Sequence, residues 1–212
     1  MAQLRLVVFD VDGTLLKVRS SWQHLHEALG TWDKGKQYAE QFSQGLISYE
    51  EWAELDAFLW RGQPLEKVKL IIGGMPYTLG AEEVITALRK GGFRVVLLSA
   101  GLSLVTERIE REIGVDYALA NDLIVEDGVL TGDVKVNVPL DGKLDALQRV
   151  AGQFGVKLEE CAAVGDDESL VPVFEHVGLG IAFNPWDERL ERLARVIVKN
   201  GDLRHVLPHI VG

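Results

Sequence analysis

The stretch VVFDVDGTLL, residues 7–16, decides the fold. The apolar run LRLVVF (4–9) leads into Asp10, and Asp12 follows one residue later, before Gly13 and Thr14. A run this rich in Val, Leu and Phe predicts a strand buried on both faces, as in the interior of a parallel sheet. Its carboxyl end is where open α/β sheets bind their ligands, so an acidic pair placed there points to chemistry.

Working outward, three further runs repeat the pattern: FRVVLLS (93–99), CAAVG (161–165) and LGIAF (179–183). Helix-period apolar positions occupy 80–92, 102–114, 141–155 and 187–196. This alternation predicts an α/β fold, a doubly wound, Rossmann-like parallel sheet with helices on both faces. Gly92, Gly114 and Gly155 stand where helix C-caps belong. Asp127-Gly128, between two short apolar runs of ANDLIVEDGVLTGDV (120–134), predicts a two-residue hairpin turn at the sheet edge. Residues 16–77 carry helix-period positions and four of the five tryptophans, with hardly any strand-like run. They predict a small helical insert after the first strand, with 1–15 and 78–212 forming the core domain.

A formal net charge of −10 excludes general affinity for nucleic acid or for anionic membranes, both of which need a positive surface. No apolar run approaches the roughly 20 residues that span a bilayer, and no signal-peptide pattern opens the chain, so cytoplasmic residence is expected. Cys161 is the single cysteine and reads as a small buried hydrophobe. His24, His26, His205 and His209 read as packing or surface residues.

Asp10 ends the first predicted strand, Ser99 the second, and GDDES (165–169) overlaps the end of the third, so polar groups converge on one sheet edge. Asp10, Asp12, Asp166 and Asp167 gathered there repel one another until a proton or a cation intervenes. Oxygen ligands suit a hard divalent ion, and Mg2+ binds through one or two carboxylates plus phosphate. Ser99 supplies a hydrogen-bond donor, and the AGLS that follows places amides at a predicted helix N-terminus, which favours anions. Lys143, after Gly142 at a helix start, offsets charge on a nucleophile and a phosphoryl group.

In that order, DVDGT (10–14), LLSAG (97–101), GK (142–143) and GDD (165–167) resemble the four motifs of the haloacid dehalogenase superfamily. GVDYALANDLIVEDGVLTGDV (114–134) is similar to a segment of its phosphoserine phosphatase-like group, whose helical cap follows the first motif. The resemblance covers nearly the whole chain. It implies a Mg2+-dependent phosphatase that hydrolyses a small phosphomonoester through an aspartyl-phosphate. By the same resemblance Asp10 is the nucleophile, and Asp12 protonates the leaving oxygen and then activates water. The metal falls to Asp10, the Asp12 backbone carbonyl and Asp166, and the phosphate to Thr14, Ser99, Ala100 and Gly101.

The chain also departs from that pattern. Where the family reads GDGxND, residues 165–170 read GDDESL, so Asp167 becomes the candidate for a missing metal-shell acid, ahead of Glu168. Arg19 stands where the family has a glutamate for the substrate amino group, and Asp56 where a cap arginine takes the carboxylate. Arg19 is therefore expected to bind an anionic or hydroxyl-rich group, beside an apolar wall from Trp22, Trp52 or Trp60. Phosphoserine bound with the two charges exchanged, transfer to a second hydroxyl acceptor, and a regulatory module that binds phosphate without turnover stay open. The expected partner is a small phosphorylated metabolite, and the chain is expected to be a monomer or homodimer.

Overall fold

The computed structural model describes residues 3–212. Its sheet comprises β1 (Leu6–Phe9), β2 (Arg94–Leu102), β3 (Tyr117–Glu126), β4 (Val129–Lys135), β5 (Cys161–Gly165), β6 (Leu179–Phe183) and β7 (Val196–Val198), in the order β4-β3-β2-β1-β5-β6-β7. Every pairing is parallel except β3 with β4. Val8 of β1 lies opposite Val96 on one side and Ala163 on the other. The strand order reverses between β1 and β5, so Asp10 and Asp166, just beyond these two strands, flank the crevice where such sheets bind ligands.

Helices α1 (Ser21–Leu29), α2 (Trp32–Ser43), α3 (Tyr49–Phe58) and α4 (Leu65–Gly73) follow β1. Around the sheet lie α5 (Ala81–Lys90), α6 (Ser103–Glu112), α7 (Lys143–Gln153), α8 (Val171–Phe174), α9 (Glu188–Leu193) and α10 (Leu207–Val211). Alternate residues of β1 serve two cores. Val7 and Phe9 pack with α5, α6 and apolar residues of α1, α3 and α4, whereas Leu6 and Val8 pack with α7, α8 and α9. No helix among the described residues is long and apolar enough to cross a membrane.

The hairpin turn has the predicted form: Asp127 and Gly128 both adopt left-handed backbone, φ 49° and 77°. Two expectations need correction. The helix read over 187–196 ends at Leu193, and Val196–Val198 joins β6 as an edge strand, because β-branched side chains fit the free edge of β6 better than another helical turn. The second strand does not stop at Ser99; it continues irregularly to Leu102, and α6 starts at Ser103.

The chain leaves and re-enters the core through one antiparallel bridge, Leu16 with Tyr77. Lys17 N–H donates to Pro76 O and Thr78 N–H to Leu15 O, each at 2.9 Å. The helical segment also docks on the hairpin: Gly62 N–H donates to Leu130 O at 2.8 Å, and Leu65 N–H to Gly128 O at 2.9 Å. Arg108 of α6 locks the re-entry point from below. Its Nη1 donates to the carbonyls of Ile72 and Met75, each at 2.8 Å, and its Nε to Glu112 at 3.0 Å. These carbonyls lie in and just after the last turn of α4, where Arg108 adds a charged donor to the Ile72 carbonyl and supplies one to that of Met75.

Arg108→Ala is expected to cost about 2–4 kcal/mol in urea unfolding, because buried acceptors lose their donor. A loss below about 0.5 kcal/mol would contradict this account.

Candidate active site

Asp10 is 3% exposed, and its Oδ1 lies 2.7 Å from Lys143 Nζ and accepts from Val11 N–H, also at 2.7 Å. Lys143, 2% exposed, opens α7 directly after Gly142. A Cβ on Gly142 would sit 2.6 Å from Pro139 Cγ, so the bare glycine lets the turn approach that ring. Burial pushes the Asp10 carboxyl up to about 7 against the pull of Lys143. Burial, then the charges of Asp10 and Asp167, push Asp166 up to about 8. Burial alone would depress the Lys143 ammonium, but Asp10, Asp167 and Asp166 outweigh it and raise its pKa.

Asp12 is anchored from α1. Ser20 caps this helix by accepting from Gln23 N–H, leaving the first helical amide, that of Ser21, in need of an acceptor. Asp12 Oδ2 takes both the Ser21 amide and the Ser21 hydroxyl, each at 2.7 Å. The other oxygen, Oδ1, is buried without a hydrogen-bond partner among the described residues, and burial raises the Asp12 pKa.

Thr14 is placed differently from expectation. Its hydroxyl is fully buried and donates to Asp166 Oδ1 at 3.0 Å, so it does not line the phosphate cavity. Gly13 makes this contact possible, since its φ is 77° and a Cβ there would lie 2.1 Å from Asp166 Oδ2. Ser99 Oγ accepts from Gly101 N–H at 3.0 Å, and the Ala100 carbonyl accepts from Trp22, Tyr49 and Asn121.

Between these groups lies a cavity of about 100 Å3, bordered by Asp10, Asp12, Ser99, Gly101, Lys143 and Asp167. Arg19 lies on its wall, exposed, with its guanidinium 6.0 Å from the centre of the Trp186 ring. Trp22 and Trp52 also line it. Trp60 does not: it is fully buried, stacks on Trp22 at 5.4 Å and donates its Nε1–H to His26 Nδ1 at 3.2 Å. Asp56 is likewise buried, 3.1 Å from His26 Nε2, and does not border this cavity. Larger cavities, about 530 and 620 Å3, lie beside Arg94 and Ile210 and contain none of these carboxylates.

Asp167 faces the cavity but also caps the turn at 168–170, accepting from the Ser169 amide at 3.0 Å and from the Ser169 hydroxyl. Glu168 is drawn outward to Arg189 at 3.0 Å. Ser21, Tyr49 and Asn121 touch the site without any motif announcing them, since each is placed by a helix start or a strand register. Among the described residues no three His, Cys, Asp or Glu side chains form a ready metal cage. Two buried carboxylates that resist ionisation still fit a hard cation, provided backbone, water or phosphate oxygens complete its shell.

A family model described as haloacid dehalogenase-like hydrolase matches residues 7–175. The chain belongs to this haloacid dehalogenase-like hydrolase family. It is 34% identical to the phosphoserine phosphatase of Methanocaldococcus jannaschii over 97% of both chains. It is 33% identical to that of Lactococcus lactis subsp. lactis over 86% of this chain and 85% of the relative. A solved phospho-aspartyl intermediate analogue of phosphoserine phosphatase superposes with a TM-score of 0.84 at 32% identity, covering 99% of this chain and all of that one. The protein is thus a phosphoric monoester hydrolase of the phosphoserine phosphatase-like branch.

The raised carboxyl of Asp166 has a consequence for stability. Its folded pKa of about 8 lies above the ordinary 3.8, so the folded state holds a proton that the unfolded state releases, and stability falls as pH rises from about 4 to 8. Asp166→Asn is expected to stabilise the protein in EDTA at pH 8 by about 1–3 kcal/mol, with no gain near pH 4. Urea unfolding at the two pH values checks this; destabilisation at pH 8 would refute it.

Proposed function

We propose that the chain hydrolyses a small phosphomonoester in two steps at Asp10, with residues 16–77 serving as a cap over a core of 1–15 and 78–212. The observation that carries this reading is the Lys143 ammonium 2.7 Å from one oxygen of Asp10, beside a second acid, Asp12, fastened to Ser21. With Oδ1 of Asp10 engaged by Lys143 and the Val11 amide, Oδ2 is the oxygen left to attack phosphorus. Asp12 gives its proton to the departing alkoxide, then takes one from the water that opens the aspartyl-phosphate. Lys143, Ser99 and the Gly101 amide spread the phosphoryl charge. Mg2+, held by the carboxylates of Asp10 and Asp166 and the Asp12 backbone carbonyl with Asp167 beside them, would neutralise charge on the phosphoryl oxygens.

Arg19 borders the cavity, and the remainder of the substrate extends toward it. A guanidinium there suits a second anionic or hydroxyl-rich group. Phosphoserine is the second reading, supported by the names of relatives at 33–34% identity. Against it, Asp56, which would have to hold the amino group, is tied to His26 outside the cavity.

A panel of phosphomonoesters assayed with Mg2+ decides between these readings. Esters of hydroxy acids or polyols are expected to outpace phosphoserine, with Arg19→Ala reducing that preference at least about tenfold. Phosphoserine as the fastest substrate would reverse the assignment. Asp10→Asn is expected to abolish both turnover and phosphoenzyme, and Asp12→Asn to form a phosphoenzyme that decays slowly. Wild-type turnover by Asp10→Asn would remove Asp10 from its role.

A further inference from the structure

Three donors converge on one backbone carbonyl beside the phosphoryl cavity. Ala100 O accepts from the Tyr49 hydroxyl at 2.6 Å, from Asn121 Nδ2 at 2.8 Å and from Trp22 Nε1 at 3.0 Å. Tyr49 and Trp22 come from the helical segment that follows β1, and Asn121 from β3.

Each donor is set by its own surroundings. Ser48 and Glu51 form a reciprocal capping box at the start of α3, which fixes Tyr49 as its first residue. Asn121 Oδ1 accepts the amides of Asn137 and Val138 at 2.9 and 3.0 Å, so its Nδ2 must face Ala100. Nδ2 also donates to the Tyr49 oxygen at 3.1 Å, which leaves the Tyr49 proton for Ala100. Burial raises the Tyr49 pKa and keeps that proton in place. Trp22 stacks on the buried Trp60.

The described residues contain no cis peptide, so the Ala100–Gly101 unit is trans and its N–H points opposite to its C=O. Pinning the carbonyl to these three donors therefore turns the Gly101 N–H the opposite way, toward Ser99 Oγ at 3.0 Å on the cavity wall. Gly101 has no alternative residue: a Cβ would lie 2.5 Å from Ser21 Oγ and 2.9 Å from Asp12 Oδ2. Glycine also resists rotation of the flanking torsions least, so the peptide needs outside restraint.

We propose that Tyr49, Trp22 and Asn121 are positioning residues for phosphate binding: by holding the Ala100 carbonyl they keep the Gly101 amide against Ser99 Oγ on the cavity wall, where the two together frame the phosphoryl group. The cradle is then complete only while the helical segment is seated on the core. This rests on the phosphatase reading of the cavity, but the orientation of the peptide is measurable without any ligand.

Tyr49→Phe removes one hydroxyl and keeps the ring that meets Phe42 and Trp52 at 6.1 and 6.0 Å. Tyr49→Phe combined with Trp22→Phe removes two of the three donors. Hydrogen exchange at the Gly101 amide in the free protein is expected to accelerate about fivefold in the single variant and at least about twentyfold in the double. Affinity for inorganic phosphate with Mg2+ is expected to fall by similar factors, while exchange at sheet amides away from the site, such as those of Val96 and Ala163, accelerates less than at Gly101. Unchanged Gly101 exchange and unchanged phosphate affinity in the double variant overturn the proposal, as does acceleration at Gly101 no greater than at those sheet amides. Should the wild type itself fail to bind phosphate, the phosphatase reading falls, and Gly101 exchange alone decides the positioning role.

Discussion

The organisation of this protein depends on the burial of two carboxylates, Asp10 and Asp166, at the ends of adjacent strands. Removed from water, neither ionises easily, and burial holds Asp10 near 7 and Asp166 near 8. One buried ammonium, Lys143, faces Asp10 at 2.7 Å, and the acids around it, Asp10, Asp167 and Asp166, raise its pKa against the effect of burial, so that its charge in turn favours ionisation of Asp10. A cluster of this kind is poor design for stability alone, because apolar side chains of similar volume would fill the crevice at lower cost. It suits a site that must receive a cation and a phosphoryl group, both of which relieve the imbalance.

A second constraint is that the helical segment and the core share the site. Ser21 at the start of α1 fastens Asp12, and Tyr49 at the start of α3 fastens Ala100. The backbone bonds from Gly62 and Leu65 to the β3–β4 hairpin and the Arg108 lock on the α4 carbonyls seat that segment. Two helix starts thus face the two sides of the cavity, α1 through the Ser21 amide and hydroxyl and α3 through the Tyr49 hydroxyl. A hydrolase that keeps water from its acyl-phosphate until Asp12 is aligned gains from this coupling, since a displaced segment loosens the acid and the cradle together.

The charges next to the cavity are set by the same packing. An exposed arginine, Arg19, lies on its wall beside Trp186, whereas Asp56 of the helical segment is buried against His26 and does not border it. On the function proposed above, a substrate would meet the guanidinium and not the Asp56 carboxylate.

Much of this was legible in the residue order. The apolar runs at 4–9, 161–165 and 179–183, the Asp127-Gly128 turn and the helical run before the next strand defined the fold class, because periodicity and turn chemistry are local properties. Asp10, Lys143 and Asp166 could likewise be picked out, since each directly follows or opens a regular element, whereas Asp12 and Ser99 were picked out by the motifs around them. Tertiary structure alone decided that Val196–Val198 is an edge strand, that Thr14 serves Asp166, that Trp60 is core and that Asp56 belongs to His26. It alone brought Tyr49 and Asn121, 72 residues apart, to the same carbonyl. Such contacts depend on where separate elements meet, and hydrogen-bond partners distant along the chain leave no periodic trace in it.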